Sequence, residues 1–264
     1  MKICVLIASH INYLEKIELL DNCINSLINQ TVKPDIFISI SFENEILRTK
    51  FIDNIFNIYT NINYTLQDNK TYQIIHYFNL LNKIKDYNLI MFCDDDDTYN
   101  IKRVEEFKRA YIYLNNTTKY CDFIIKDGDI NNNISPEYWN YSIPYKFLYT
   151  FFEIFKNDMD LLNHFYADIY FAEFLATRNN IKYLVIKEFY YNYNYNENST
   201  CNILNLKSYN EKIELNLFLY VICSNLRKQI EETMSFFDFN ENNIRLSLPN
   251  YDRIKNIISI ITTN

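Results

Sequence analysis

Short apolar runs alternate with amphipathic stretches of ten or more residues along the first half of this chain, and that alternation fixes its fold class. KICVLIA (2–8), DIFISIS (35–41), NLIMFC (88–93) and CDFIIK (121–126) are apolar almost throughout, as strands covered on both faces must be. Between them, Ile17, Leu20, Ile24, Leu27 and Ile28 recur at three- and four-residue steps, as do Ile74, Phe78, Leu81 and Ile84. That spacing puts each set on one face of a helix, over 14–30 and 70–86. Residues 45–58 and 101–116 also read as helices, and 62–66 as a short strand. Strands alternating with helices predict an α/β fold with a mainly parallel sheet flanked by helices. Ligands of such sheets lie beyond the carboxyl ends of the strands, here the loops after Ala8, Ser41 and Cys93.

The rest of the chain is less regular. Residues 127–144 are polar and hold Gly128, Pro136 and Pro144, which predicts a long loop at the sheet edge. Helices are expected over 145–157 and 163–178, and a strand over 182–187. In 188–200 tyrosine alternates with asparagine, the pattern of a half-buried strand or a tyrosine-lined loop. From about 205 the pattern is helical, broken near 236–249. Its apolar set, Leu215, Leu217, Phe218, Leu219, Val221 and Ile222, is expected to pack on the preceding domain or on a second subunit, making a homo-oligomer.

Charge and composition exclude several classes. Net charge is −7, the wrong sign for sequence-independent nucleic-acid binding. Gly128 is the only glycine in 264 residues. A P-loop, a dinucleotide fingerprint and a nucleophile elbow each need more, so a phosphate ligand has to be held by a metal or by side chains. The six cysteines include no CxxC pair, and read as reduced, buried thiols of a cytoplasmic protein. The opening apolar run is too short for a signal peptide, and no run approaches the ~20 apolar residues of a membrane span. Heavy use of Asn, Ile, Tyr and Lys suggests an AT-rich genome; for a viral source, the compartment is the host cytoplasm.

Asp94-Asp95-Asp96-Asp97 follows directly on a buried strand. Four adjacent carboxylates repel one another unless a cation neutralises them, and an oxygen-only set suits magnesium, manganese or calcium. Acidic runs are usually solvated surface, a reading weakened here by the position at the end of a buried strand. With Thr98 the run also fits the DxDx[TV] motif of haloacid-dehalogenase-like phosphatases. That motif normally closes the first strand of its domain, and Asp127-Gly128-Asp129 is a poor substitute for their second acidic pair.

A wider set of segments resembles the GT-A glycosyltransferases of the family-2-like type. VLIASHINYLEKIELLDNCINSLINQT (5–31) looks like their opening strand, turn and helix. LIMFCDDDDTYNIKRVEEF (89–107) is similar to their strand-DxDD signature, with Tyr99 and Arg103 at the expected offsets. HFYADIYFAEFL resembles the helix that carries their catalytic base, and 190–200 their closing tyrosine-rich segment. Ser39-Ile-Ser41-Phe-Glu43 lacks the aspartate that members often use for the nucleotide base, Ala167 replaces a usual glutamate, and Ile101 stands where proline is common.

The resemblance implies a GT-A (Rossmann-like) catalytic domain over 1–204 and a helical C-terminal extension over 205–264. It implies transfer of a sugar from a nucleotide-diphosphate donor, by default a UDP-sugar, to a glycan, protein or lipid acceptor, with Mn2+ or Mg2+. Asp96 is then the first metal ligand, with Asp94. Asp94 and Asp95 also serve as candidates for the ribose hydroxyls, and Ala8, Ser9, His10, Ser41 and Gln73 line the nucleotide sugar. Asp97 fixes the loop or faces the acceptor. Asp168 is the general base of an inverting transfer. His76 is either core or donor contact, His164 an extra ligand or a surface residue, and Trp139 a sugar-stacking or core aromatic. Other readings are a degenerate GT-A module that binds nucleotide or glycan without transfer, and the DxDxT phosphatase.

Overall fold

The computed structural model describes residues 1–117, 122–128, 140–156, 159–163, 167–176 and 181–194. The chain divides into two compact units, Met1–Asp168 with Asn180–Asn194, and Ile169–Asn179 with Tyr195–Asn264. The expected helical extension over 205–264, Trp139 and His164 lie outside the described residues.

The first unit is built on seven strands: β1 (Ile3–Ile11), β2 (Asp35–Phe42), β3 (Asn63–Leu66), β4 (Leu89–Asp94), β6 (Asp122–Asp127), β7 (Tyr141–Ile143) and β8 (Ile181–Ile186). Their order across the sheet is β3-β2-β1-β4-β7-β6-β8. All neighbours are parallel except β7, which runs antiparallel to β4 and to β6. A separate small ribbon pairs β5 (Thr98–Tyr99) with β9 (Tyr191–Asn192).

Successive strand residues point to opposite faces, and both faces are covered. Val5, Ile7, Ile38, Ile40, Met91 and Cys93 join one buried cluster with Ile17, Leu20, Ile24 and Leu27 of α1 (Glu15–Ile28) and Val104 and Phe107 of α4 (Arg103–Thr117). α2 (Glu45–Phe51) adds Leu47 and Phe51 to the same cluster. On the other face, Phe92 meets Tyr77 of α3 (Gln73–Leu80) edge-on at 5.2 Å. Each fully buried Leu, Ile or Phe contributes about 1.5–3 kcal/mol, so two-sided coverage is the main force holding the strands. It is also why they read as continuous apolar runs and not as alternating ones.

Three expectations are corrected. β1 runs through Ile11, so Ser9 and His10 are strand residues and do not follow the strand. The stretch 127–144 contains β7, whose three residues are all buried; the polar residues before it hid so short a strand. The helices expected over 45–58 and 70–86 are shorter, giving way to a π-turn at Ile52–Phe56 and a 3-10 turn at Leu81–Lys83.

Pro144 opens α5 (Tyr145–Phe155), whose Phe147, Leu148, Phe151, Phe152 and Phe155 are buried. α6 (Met159–Leu162) is a single turn, and α7 (Ala167–Ala176) follows. In the second unit, Phe171 and Phe174 of α7 stack with ring centroids 6.4 Å apart. Among the described residues, no helix is long and apolar enough to cross a membrane.

Candidate active site

The acidic turn sits at the carboxyl edge of the sheet, where Asp94 closes β4 opposite Ala8 of β1. Its four carboxylates have separate partners. Gln73 Nε2 donates to Asp94 Oδ1 at 3.1 Å. Ser9 Oγ donates to Asp95 Oδ2 at 2.6 Å. Lys16 Nζ lies 2.8 Å from Asp95 Oδ1 and 3.1 Å from Asp96 Oδ2. Asp97 is fully buried and accepts from Tyr191 Oη and from the Asn194 N–H, both at 2.7 Å.

Asp97 therefore fixes the loop. Its N–H donates to the Asp94 carbonyl at 3.2 Å, closing the turn, and its carboxylate clamps that turn to β9. Burial pushes the Asp97 carboxyl up to about 6, against the stabilising bonds from Asn194 and Tyr191. Burial also raises Asp95, opposed by Lys16. On Lys16, burial works against the charge, but Asp95 and Asp96 outweigh it and hold the ammonium protonated above the usual lysine range.

A buried ion pair braces this arrangement from below. The Arg103 guanidinium, with no exposed surface, meets Asp127 in bidentate fashion, Nε–Oδ2 and Nη2–Oδ1 both 2.9 Å. Tyr99, Phe107 and Tyr191 surround it, their ring centroids 4.2, 4.8 and 4.9 Å from Cζ. Asp127 Oδ2 also accepts the Tyr190 N–H at 2.9 Å. The Tyr191 hydroxyl bonds Asp97 and accepts the Asp94 N–H at 3.0 Å, so the pair holds the tyrosine that holds the turn. Asp127 precedes Gly128, whose φ of +101° is left-handed and suits glycine. An added Cβ there would lie 2.8 Å from the Phe189 ring.

A second network lies at the ends of β1 and β2. His10 Nδ1 is 2.9 Å from Ser41 Oγ, and its Nε2 is 3.1 Å from Glu43 Oε2. His76 is buried, Nδ1 2.8 Å from Ser39 Oγ and Nε2 3.4 Å from Ser41 Oγ. Burial, with His10 adding to it, pulls the His76 pKa down to about 3, so its ring is neutral. Ser41 is itself fully buried, and its hydroxyl orients the two imidazoles.

Of the residues singled out by sequence, the structure brings Ala8, Ser9, Asp94, Asp95, Asp96 and Gln73 together at one edge. His10 and Ser41 sit in the adjoining network on the neighbouring strands. Asp168 lies in the first turn of α7 and is half-buried. Sequence reasoning missed Lys16, Tyr191 and the pairing of Arg103 with Asp127. One signal for Lys16 was legible: a lysine in the first turn of a helix opposes the macrodipole and so needs another reason to be there.

No three His, Cys, Asp or Glu side chains among the described residues form a ready-made metal cage. The donor set still fits a hard divalent ion of the magnesium type, which is held by one or two carboxylates and completed by water and phosphate oxygens. The Lys16 ammonium, seated between Asp95 and Asp96, marks a place where these carboxylates accept a cation.

The seven-stranded mixed sheet, with its acidic turn at the carboxyl edge, defines a GT-A, Rossmann-like α/β fold. Solved structures share it. The fragment 1–349 of S. aureus TarS in complex with UDP-GlcNAc is 14% identical, with a TM-score of 0.58 over 96% of this chain and 72% of that one. The same fragment in complex with UDP is 13% identical, with a TM-score of 0.54 over 95% of this chain and 70% of that one. A longer TarS structure gives 13% identity and a TM-score of 0.55 over 95% of this chain, which spans 43% of its length. No protein-family model matches the sequence, and no curated protein matches it.

Proposed function

We propose that this chain is a glycosyltransferase that moves a sugar from a nucleotide-diphosphate donor, a UDP-sugar, to a hydroxyl of a glycan, protein or lipid. One observation carries the reading. In a fold shared with a TarS structure that holds UDP-GlcNAc, β1, α3 and the turn after β4 deliver Ser9, Gln73 and Asp94 to Asp96 to one edge of the sheet.

Asp96, with Asp94, would hold Mn2+ or Mg2+, which supplies Lewis-acid stabilisation of the diphosphate leaving group. The chain's own groups do the rest. Ser9 and Lys16 lock Asp95, and Gln73 orients Asp94. Ser41 and Glu43 fix the ring of His10 at the nucleotide end. Asp168 takes the proton of the acceptor hydroxyl as that oxygen attacks in line, the role of a general base in an inverting transfer. Asp127 is consumed by Arg103 and the Tyr190 N–H, which counts against the phosphatase reading, since that chemistry needs a second acidic ligand near the ion.

The test is to incubate the full chain with Mn2+ and a panel of nucleotide sugars, following nucleotide release and thermal shift. Release from one donor, dependent on acceptor, supports transfer. Specific donor binding without turnover supports a non-catalytic module, and phosphate release from phosphomonoesters supports the phosphatase.

A further inference from the structure

Lys16 occupies a place that helix energetics does not explain. It is the second residue of α1, where the macrodipole favours acids and disfavours an ammonium. Glu15 and Glu18 of the same turn follow that rule. Its side chain is only 14% exposed, and burying a rotamer-rich lysine costs conformational entropy as well as hydration. What it gains is a bridge to two carboxylates distant in the chain, Asp95 at 2.8 Å and Asp96, 80 positions away, at 3.1 Å. Leu14, the N-cap residue, brings no capping side chain to this helix end. A lysine at such an end adds a mobile positive charge to a terminus that already attracts anions.

The two bridges are not equivalent. Asp95 is also fixed by Ser9 and is the more buried, at 10% exposed against 19% for Asp96. Asp96, the more exposed of the two, is the carboxylate more open to an incoming ion. With a divalent ion held by Asp96, the Lys16 ammonium would be repelled at short range and would find new acceptors among the oxygens of a donor diphosphate.

We infer that Lys16 is the site's resident cation and a donor-positioning residue: it holds Asp95 and Asp96 together before the donor arrives, gives up Asp96 to the divalent ion, and takes a phosphate oxygen of the nucleoside diphosphate. The inference rests on the proposed meeting of ion and diphosphate at this turn. Its consequence is ordered loading. The bare ion competes with Lys16 and binds weakly, whereas ion and diphosphate together bind well because the displaced ammonium is paired again.

Calorimetric titrations of the full chain test this, with Mn2+ alone and with UDP in saturating Mn2+, for wild type, Lys16→Met and Lys16→Arg. In Lys16→Met the Kd for bare Mn2+ falls by roughly tenfold, because a competing unit charge is gone. The Kd for UDP in Mn2+ rises by roughly tenfold, the loss of one charge-assisted hydrogen bond. Lys16→Arg keeps the charge and moves both values back toward wild type. A purely structural counter-ion would weaken both ligands together. Unchanged or weaker Mn2+ binding by Lys16→Met overturns the inference, as does unchanged UDP binding. If Lys16→Met does not fold, Lys16→Gln, which keeps a donor for Asp95, carries the same comparison. Wild-type protein that binds neither Mn2+ nor UDP defeats the proposed function itself, and the inference with it; wild type that binds both isolates the result to Lys16.

Discussion

Replacing Asp127 by asparagine should be among the most damaging single-atom changes available in this protein. Asp127→Asn keeps shape and retains an oxygen for the Tyr190 N–H, yet it removes the negative charge that meets Arg103 in bidentate fashion. Arg103 has no exposed surface and cannot shed its proton in response. Removing one partner of such a pair costs about 3–5 kcal/mol, because an uncompensated charge stays buried. For a chain of this size each kcal/mol lowers Tm by roughly 2–4 °C, so a fall on the order of 10 °C is expected. Arg103→Met in the same background removes the stranded charge and fills much of its volume. The double variant should therefore be more stable than Asp127→Asn alone, by about 2 kcal/mol or more. Denaturant unfolding of wild type, both single variants and the double variant closes the cycle. A loss under about 1 kcal/mol in Asp127→Asn, or single-variant losses that simply add, would refute the reasoning. Donor binding should weaken alongside stability, since the pair supports Tyr191 and through it Asp97 and Asp94.

His76 and Asp97 act with opposite signs on pH stability. His76 has its pKa pulled down to about 3, so its contribution is complete above 6.5 and is lost as pH falls toward 3; it is on the order of 5 kcal/mol, and acid unfolding of His76→Gln should be correspondingly shallower. Asp97 is pushed up to about 6, so its contribution is complete below the ordinary carboxylate value of 3.8 and is lost as pH rises through 6; Asp97→Asn should flatten that limb in urea melts followed across pH. Asp96→Ala should abolish Mn2+-dependent stabilisation by UDP, which for wild type is roughly 2.7 kcal/mol at 100 times Kd and is read as a thermal shift; an unchanged shift rules out Asp96 as a ligand. Asp168→Asn should lower turnover by roughly 10²- to 10⁴-fold with donor binding intact, and near-normal transfer to a verified acceptor would remove it as the base.

The sequence by itself determined the main strands and helices and the strand end at which the acidic run lies. Runs such as Val5 to Ile7 and Met91 to Cys93 announce strands covered on both faces, because burial of every side chain leaves no polar alternation to read. Ile17, Leu20, Ile24 and Leu27 announce α1 because a helix with one covered face must repeat its apolar residues every three or four positions. Both patterns are local, so they survive in one dimension, and with them the placement of Asp94 to Asp97 at a strand end. Which partner each carboxylate meets was decided only in three dimensions. Asp95 and Ser9 are 86 positions apart, and Asp97 and Tyr191 are 94 apart; parallel register and the β5–β9 ribbon bring them together. The four aspartates look alike as a string. They differ in the structure because each meets another element: Asp97 is sealed against β9, Asp95 is pinned between β1 and α1, Asp94 meets Gln73 of α3, and Asp96 meets Lys16 of α1. The pairing of Arg103 with Asp127 and the antiparallel insertion of β7 belong to the same class, since a charge finds its partner, and a short polar-flanked strand its place, only when the sheet has formed around them.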